Sequence, residues 1–178
     1  MEFQETVIAG VLVVQTEKAQ DPRGYFVRTF CTKEFRARGI AFSPLQTSLS
    51  MNLKSGTLRG MHYQTAPYEE DKLVSCVSGA LFDVALDLRP LSPTYRQWTG
   101  IELNADNGKM LFIPKGVAHG FQTLVDRTLI HYQIGQDYHP EFGRGVRWDD
   151  PAFQIQWPLT KERIISDRDR NYPLFRAE

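Results

Sequence analysis

The segment Leu81-Phe82-Asp83-Val84-Ala85-Leu86-Asp87-Leu88 alternates strictly between two faces, with Ser78-Gly79 before it and Arg89-Pro90-Leu91-Ser92-Pro93 after it. Period-two alternation closed at both ends by turn formers specifies a strand. Comparable short units recur along the whole chain: Val7 to Val14, Tyr25 to Phe30, Lys72 to Val77, Tyr95 to Leu103, Lys109 to Ile113 and Thr128 to Ile134. Turn sequences separate them, including Asp21-Pro22-Arg23-Gly24, Asn104-Ala105-Asp106-Asn107-Gly108 and Pro114-Lys115-Gly116. Many short strands at near-regular spacing imply an all-β sandwich or barrel. One helix is expected, over residues 32–38, with Thr32 as its cap and Gly39 as its stop. Within 81–88, Phe82, Val84, Leu86 and Leu88 share one face. Asp83 and Asp87 lie on the other and are expected to be structural.

A chain of 178 residues is expected to form one domain, spanning 1–178. Its 21 basic and 21 acidic residues cancel, which argues against nucleic acid or an anionic membrane as partner while leaving room for a local basic pocket. Cys31 and Cys76 are too few for a disulfide framework and lack metal-like spacing. The acidic start Met1-Glu2-Phe3-Gln4-Glu5 lacks a signal-peptide layout. No apolar run approaches the roughly 18 residues of a membrane helix. A cytoplasmic protein is expected.

The chemistry centres on residues 56–64, Gly-Thr-Leu-Arg-Gly-Met-His-Tyr-Gln. Arg59 offers a fixed cationic fork suited to phosphate, and His62 a base that titrates near neutrality. Taken alone, the stretch reads first as an ordinary turn and strand with one half-buried histidine. Gly108 to His119 fits a second pattern: glycine, five residues, proline, one residue, glycine, two residues, histidine. It resembles the second short motif of the cupin β-barrels. The first cupin motif supplies a His-x-His pair and a glutamate for a metal, but the corresponding stretch here has His62 followed by Tyr63 and Gln64. A divalent transition metal needs three or four nitrogen, sulfur or carboxylate ligands, so the expectation is a cupin-like jelly-roll barrel with short peripheral helices and no metal site.

Further matches extend across the chain: Asp21-x-Arg23-Gly24-x-Phe26, Gln46, residues 58–64, Lys72-Leu73-Val74, residues 82–89, Ser92-Pro93-Thr94, Ile113-Pro114-x-Gly116-x-Ala118-His119-Gly120-Phe121 and Trp148-x-Asp150-Pro151. On these residues the sequence resembles the dTDP-4-dehydrorhamnose 3,5-epimerase family of nucleotide-sugar enzymes. The resemblance implies a nucleotide-diphospho-4-keto-6-deoxy-sugar substrate, inversion at carbon 3, carbon 5 or both, and a homodimer in which an N-terminal segment packs across. Protons beside a carbonyl can be removed to give an enolate and returned from the opposite face. That chemistry asks for a base, an acid across the ring and a cation for the oxyanion, with no redox cofactor and no metal.

By resemblance, His62 is the base, Asp169 the carboxylate that orients it, Tyr132 the acid on the other face and Lys72 the enolate-stabilising cation. Arg59 and Arg23 match diphosphate contacts, with Arg23 arriving from a partner subunit. Gln46, His119, Tyr138 and Arg168 match other substrate contacts. Three positions depart from the family pattern: Arg28 stands where a glutamate is usual, Ser48 where an asparagine is usual, and Gly143 where an acidic residue often contacts substrate. All three bear on the sugar or nucleotide bound rather than on proton transfer. The alternative reading is a non-catalytic cupin-like module that binds a sugar nucleotide. It has no need of both a base and an acid.

Overall fold

The computed structural model describes residues 1–176; the last two residues of the expected 1–178 domain lie outside the described residues. Among the described residues fourteen strands form: β1 (Glu2–Glu5), β2 (Leu12–Gln15), β3 (Lys18–Asp21), β4 (Gly24–Val27), β5 (Gln46–Asn52), β6 (Thr57–Gln64), β7 (Lys72–Ser78), β8 (Ala80–Asp87), β9 (Trp98–Asn104), β10 (Lys109–Ile113), β11 (Val117–Thr123), β12 (Thr128–Ile134), β13 (Gly143–Gly145) and β14 (Ile164–Ile165). Two short helices, α1 (Thr32–Ala37) and α2 (Asp167–Arg170), lie outside them. One sheet runs β1-β2-β10-β7-β12-β5 and the other β13-β6-β11-β8-β9, with β14 alongside β6; β3 and β4 form a separate hairpin. This is the expected all-β, cupin-like jelly roll.

The buried interior joins both sheets: Val13, Val74, Leu111 and Ile130 from the first, Leu81, Ala85, Leu103, Val117 and Phe121 from the second. A second cluster lies under α1, where Phe35 and Phe42 pack on Leu73, Met110 and Phe112. A third covers the second sheet, where Met61, Val84 and Leu86 lie beneath Val146, Phe153, Trp157 and Phe175 of the C-terminal tail.

That third layer shows which way the two faces of β8 turn. The apolar face of β8 is not the barrel face: Val84 and Leu86 point outward and are covered by the tail. Leu81 and Ala85 point inward, and by the period-two geometry of a strand Asp83 and Asp87 go with them. Both aspartates are fully buried. Asp87 closes the strand end, accepting from Arg89, Ser92 and Thr94. Burial opposes its ionisation, but these donors prevail and hold its pKa at about 2.

Other boundaries differ locally. Residues 6–11 form a turn rather than the first part of a strand, with Gly10 at φ +80°. Cys31, not Thr32, occupies the cap position of α1, and its side chain makes no capping bond. Gly39 follows at φ +74°, as a helix stop requires. Strands β1 and β5 occupy stretches that carry no strand signal in the sequence analysis.

Candidate active site

The residues of 56–64 reach the barrel interior through a close backbone crossing. Gly60 has φ +121°. A Cβ on it would stand 2.5 Å from the Cα of Gly120, and one on Gly120 would stand 2.9 Å from the carbonyl oxygen of Arg59. Two glycines therefore let β6 and β11 approach where no side chain fits. The register slips between His119 and Phe121, and His119 pairs directly with His62. A β-bulge of this kind re-aims side chains, and here both imidazoles line one cavity.

That cavity measures about 310 Å³ and lies between the sheets. From the second sheet it takes Arg59, His62, Gln64, His119 and Phe121; from the first it takes Ser48, Lys72, Tyr132 and Ile134. Tyr138, Gly143, Arg144 and Arg168 complete one side, with Tyr63 and Glu70. His62 and Tyr132 thus come from facing sheets, across the space a ligand would fill.

Each imidazole has a carboxylate behind it. His62 Nε2 lies 2.6 Å from Asp169 Oδ1. The other oxygen of Asp169 accepts the Gly60 N–H at 3.1 Å. Ser166 fixes this arrangement: its Oγ accepts the Asp169 N–H at 3.1 Å and caps the single turn of α2. Burial works against ionisation of Asp169, but the bond to His62, the imidazole's charge and the Gly60 N–H outweigh it, so its pKa is lowered. A carboxylate so held fixes the tautomer and orientation of its imidazole.

His119 Nε2 lies 2.6 Å from Asp83 Oδ1. Asp83 Oδ2 is buried and meets no hydrogen-bond partner among the described residues. The inward face of β8 is therefore what delivers a carboxylate to His119. Asp83, expected to be structural, holds this imidazole, while Asp87 closes the strand end.

Tyr132 is held in its protonated form. Burial raises the pKa of its hydroxyl most, the charge of Asp83 raises it further, and Arg59 only partly offsets them. Its ring meets His119 edge-on, with centroids 5.9 Å apart. Lys72 is buried at the head of β7, its Nζ 2.7 Å from Glu70 Oε1. Arg59 Nε donates to Asn52 Oδ1 at 2.9 Å. Arg168 Nε donates to Tyr172 Oη at 2.8 Å, and bonds to Tyr138 and Tyr172 raise its pKa.

Three expected substrate contacts do not line this cavity. Arg23 sits at the tip of the β3–β4 hairpin, its side chain 89% exposed and paired with Asp21. Arg28 is exposed and lies 3.9 Å from Glu34. Gln46 opens β5 and donates to Asp137 at 3.3 Å. The hairpin is a separate sheet from the barrel, which is why one chain does not bring Arg23 and Arg28 to its own cavity. Conversely, sequence reasoning missed Glu70, Arg144, Ser166 and the role of Asp83. Glu70 sits in an acidic loop that is indistinguishable from solvated surface until the fold is known. Among the described residues, no group of three or more histidine, cysteine or acidic side chains could hold a metal ion, so the cupin metal centre does not fit these residues.

Fold and cavity together define a cupin-like barrel in which an imidazole–carboxylate pair faces a tyrosine across one cavity. The model of the dTDP-4-dehydrorhamnose 3,5-epimerase family matches residues 5–177, and the chain belongs to that family. It is 43% identical to the dTDP-4-dehydrorhamnose 3,5-epimerase of Sinorhizobium fredii, over 97% of this chain and 89% of that one. Among solved structures, the Bacillus anthracis enzyme with TDP and PPi bound superposes with a TM-score of 0.94 at 38% identity, covering 98% of this chain and 99% of the other. The Legionella pneumophila enzyme in complex with dTDP-4-keto-L-rhamnose gives a TM-score of 0.90 at 36% identity, covering 94% and 89%. The protein is accordingly an isomerase, an epimerase of nucleotide-linked 4-keto-6-deoxy sugars.

Proposed function

We propose that the cavity between the sheets is the catalytic centre, and that His62 and Tyr132 divide the proton transfers between them. The observation that carries this reading is their placement on facing sheets of one cavity. A single group cannot both remove and return a proton on opposite faces of a ring. His62, oriented by Asp169, takes the proton from the carbon beside the C4 carbonyl. The electron pair moves into the carbonyl oxygen, and the Lys72 ammonium stabilises the resulting enolate. Tyr132 delivers its hydroxyl proton to the other face, consistent with the raised pKa that keeps it protonated. Exchange with solvent resets both groups. Arg59 takes the diphosphate, with Tyr138, Arg168, Ser48 and His119 contacting the rest of the substrate.

The same reading makes the protein a cytoplasmic homodimer built from one domain per chain. The outward-facing Leu49, Met51 and Leu53 and the projecting Tyr25 and Phe26 support a self-contact there. Through it, Arg23 and Arg28 of one subunit would reach the other's site.

Solvent-deuterium incorporation into a 4-keto sugar nucleotide, read by mass spectrometry, tests these roles and counts the carbons that exchange. A positioned acid or base contributes about 100- to 10,000-fold in rate, so His62→Ala should lose both exchange and epimerisation by such a factor, with little change in affinity. Tyr132→Phe should retain exchange at carbon 5 while losing inversion, and Lys72→Met should damage both. Wild-type exchange by His62→Ala would reject the assignment and point to His119 as the base.

A further inference from the structure

We infer that Glu70 is a positioning residue that holds the Lys72 ammonium in place for the enolate, an inference that rests on the role proposed for Lys72. Four cations line the cavity: Arg59, Lys72, Arg144 and Arg168. The three arginines are exposed, whereas Lys72 is 7% exposed. A lysine side chain so withdrawn from water retains its charge at a tolerable free energy only with a counter-charge beside it. Glu70 supplies one, with its Oε1 2.7 Å from Nζ and its own side chain only 11% exposed.

The loop that carries Glu70 is built to present it. Gln64 Nε2 donates to the carbonyl of Tyr68 at 3.0 Å. The Tyr68 ring stacks on His139 with centroids 3.6 Å apart. On the other side of Glu70, the Gly135 N–H donates to the Asp71 carbonyl at 3.0 Å. The chain is thus anchored two residues before Glu70 and one residue after it. Lys72 is the first residue of β7, paired with Ile113 and Ile134. Both members of the ion pair therefore start from fixed backbone, and the carboxylate limits where the flexible four-carbon stem of Lys72 can place its charge.

The carboxylate also has a cost, because a negative charge beside the enolate repels it. The sign is decided by what replaces it. Without Glu70 the buried ammonium loses the one carboxylate it pairs with among the described residues, and it turns outward. The enolate then loses its cation altogether.

The test pairs kinetics with a readout that needs no substrate. Glu70→Gln keeps the side chain's shape and removes its charge. Its kcat for deuterium exchange and for epimerisation should fall about 10- to 100-fold, the scale of a charge-assisted hydrogen bond, with KM changed little. The double variant with Lys72→Met should be no slower than Lys72→Met alone, because the two residues act as one unit. Acetylation of Lys72 by acetic anhydride, followed by peptide mass spectrometry, should rise several-fold in Glu70→Gln, while Glu70→Asp should recover part of both properties. A raised KM with unchanged kcat, or additive losses in the double variant, would overturn the inference by making Glu70 a substrate contact in its own right. Unchanged labelling with unchanged kcat would overturn it as well. Full activity in Lys72→Met would instead remove the role proposed for Lys72, an outcome distinguishable because the labelling result stands independently of it.

Discussion

Asp83 brings a carboxylate into a part of the barrel from which water is excluded, and two neighbours register it. His119 bonds to one of its oxygens at 2.6 Å. Tyr132 feels it as a charge that opposes formation of the phenolate. Removing that charge should therefore lower the pKa of Tyr132, although burial, the larger cause, keeps it above the ordinary tyrosine value of about 10. The shift can be read as tyrosinate absorbance in Asp83→Asn, with Asp83→Asn/Tyr132→Phe as the blank. An unchanged titration would mean that Asp83 does not act on the tyrosine. By the same sign argument Tyr132 keeps its proton through neutral pH, so any fall in activity on the mildly alkaline side should titrate another group.

At the scale of elements, α2 does more than its one turn suggests. Ser166 caps it, and the capped N–H belongs to Asp169, whose carboxylate orients His62. Losing such a cap costs about 1 kcal/mol. Ser166→Ala should lower thermal stability modestly but lower kcat more than that loss alone explains, because the carboxylate is displaced. A fall in stability with kcat intact would reduce Ser166 to a helix cap. The sequence made the barrel legible, since alternation and turn residues mark most strands, and the spacing of Gly116 and His119 marks the cupin-like turn. It did not reveal β5. There Leu49 and Met51 are 63% and 44% exposed, while Ser48 turns into the cavity, so the apolar face points the wrong way for a strand of an isolated barrel. In β8 the alternation was legible, but not that its apolar side faces the tail, because period-two reasoning within one strand does not say which face a further layer covers. The central pair of His62 and Tyr132 was legible through resemblance, whereas Asp83 depends on its contact with His119 on another strand, and the inward turn of Glu70 on a loop pinned by His139 and Gly135.

For the whole molecule, the proposed dimer would account for both the outward apolar face of β5 and the isolation of the β3–β4 hairpin. The strand ends the order of its sheet, and an unpaired edge with outward leucines invites another chain. The hairpin carries Arg23, Tyr25 and Phe26 away from their own barrel, with Phe26 73% exposed. In a two-fold dimer the contact is reciprocal, so each site would receive the other subunit's Arg23. Mixing inactive variants tests this directly. His62→Ala subunits keep Arg23, and Arg23→Ala subunits keep His62. If Arg23 works across the interface, each mixed dimer contains one intact site, and random exchange of equal amounts should restore about a quarter of wild-type activity. If Arg23 serves its own subunit, no mixed dimer has an intact site and mixing restores nothing. Reversing the apolar contact with Phe26→Asp should give a monomer by light scattering that has lost activity although its own His62, Asp169, Lys72 and Tyr132 are untouched. A fully active monomer would show that each barrel is complete by itself.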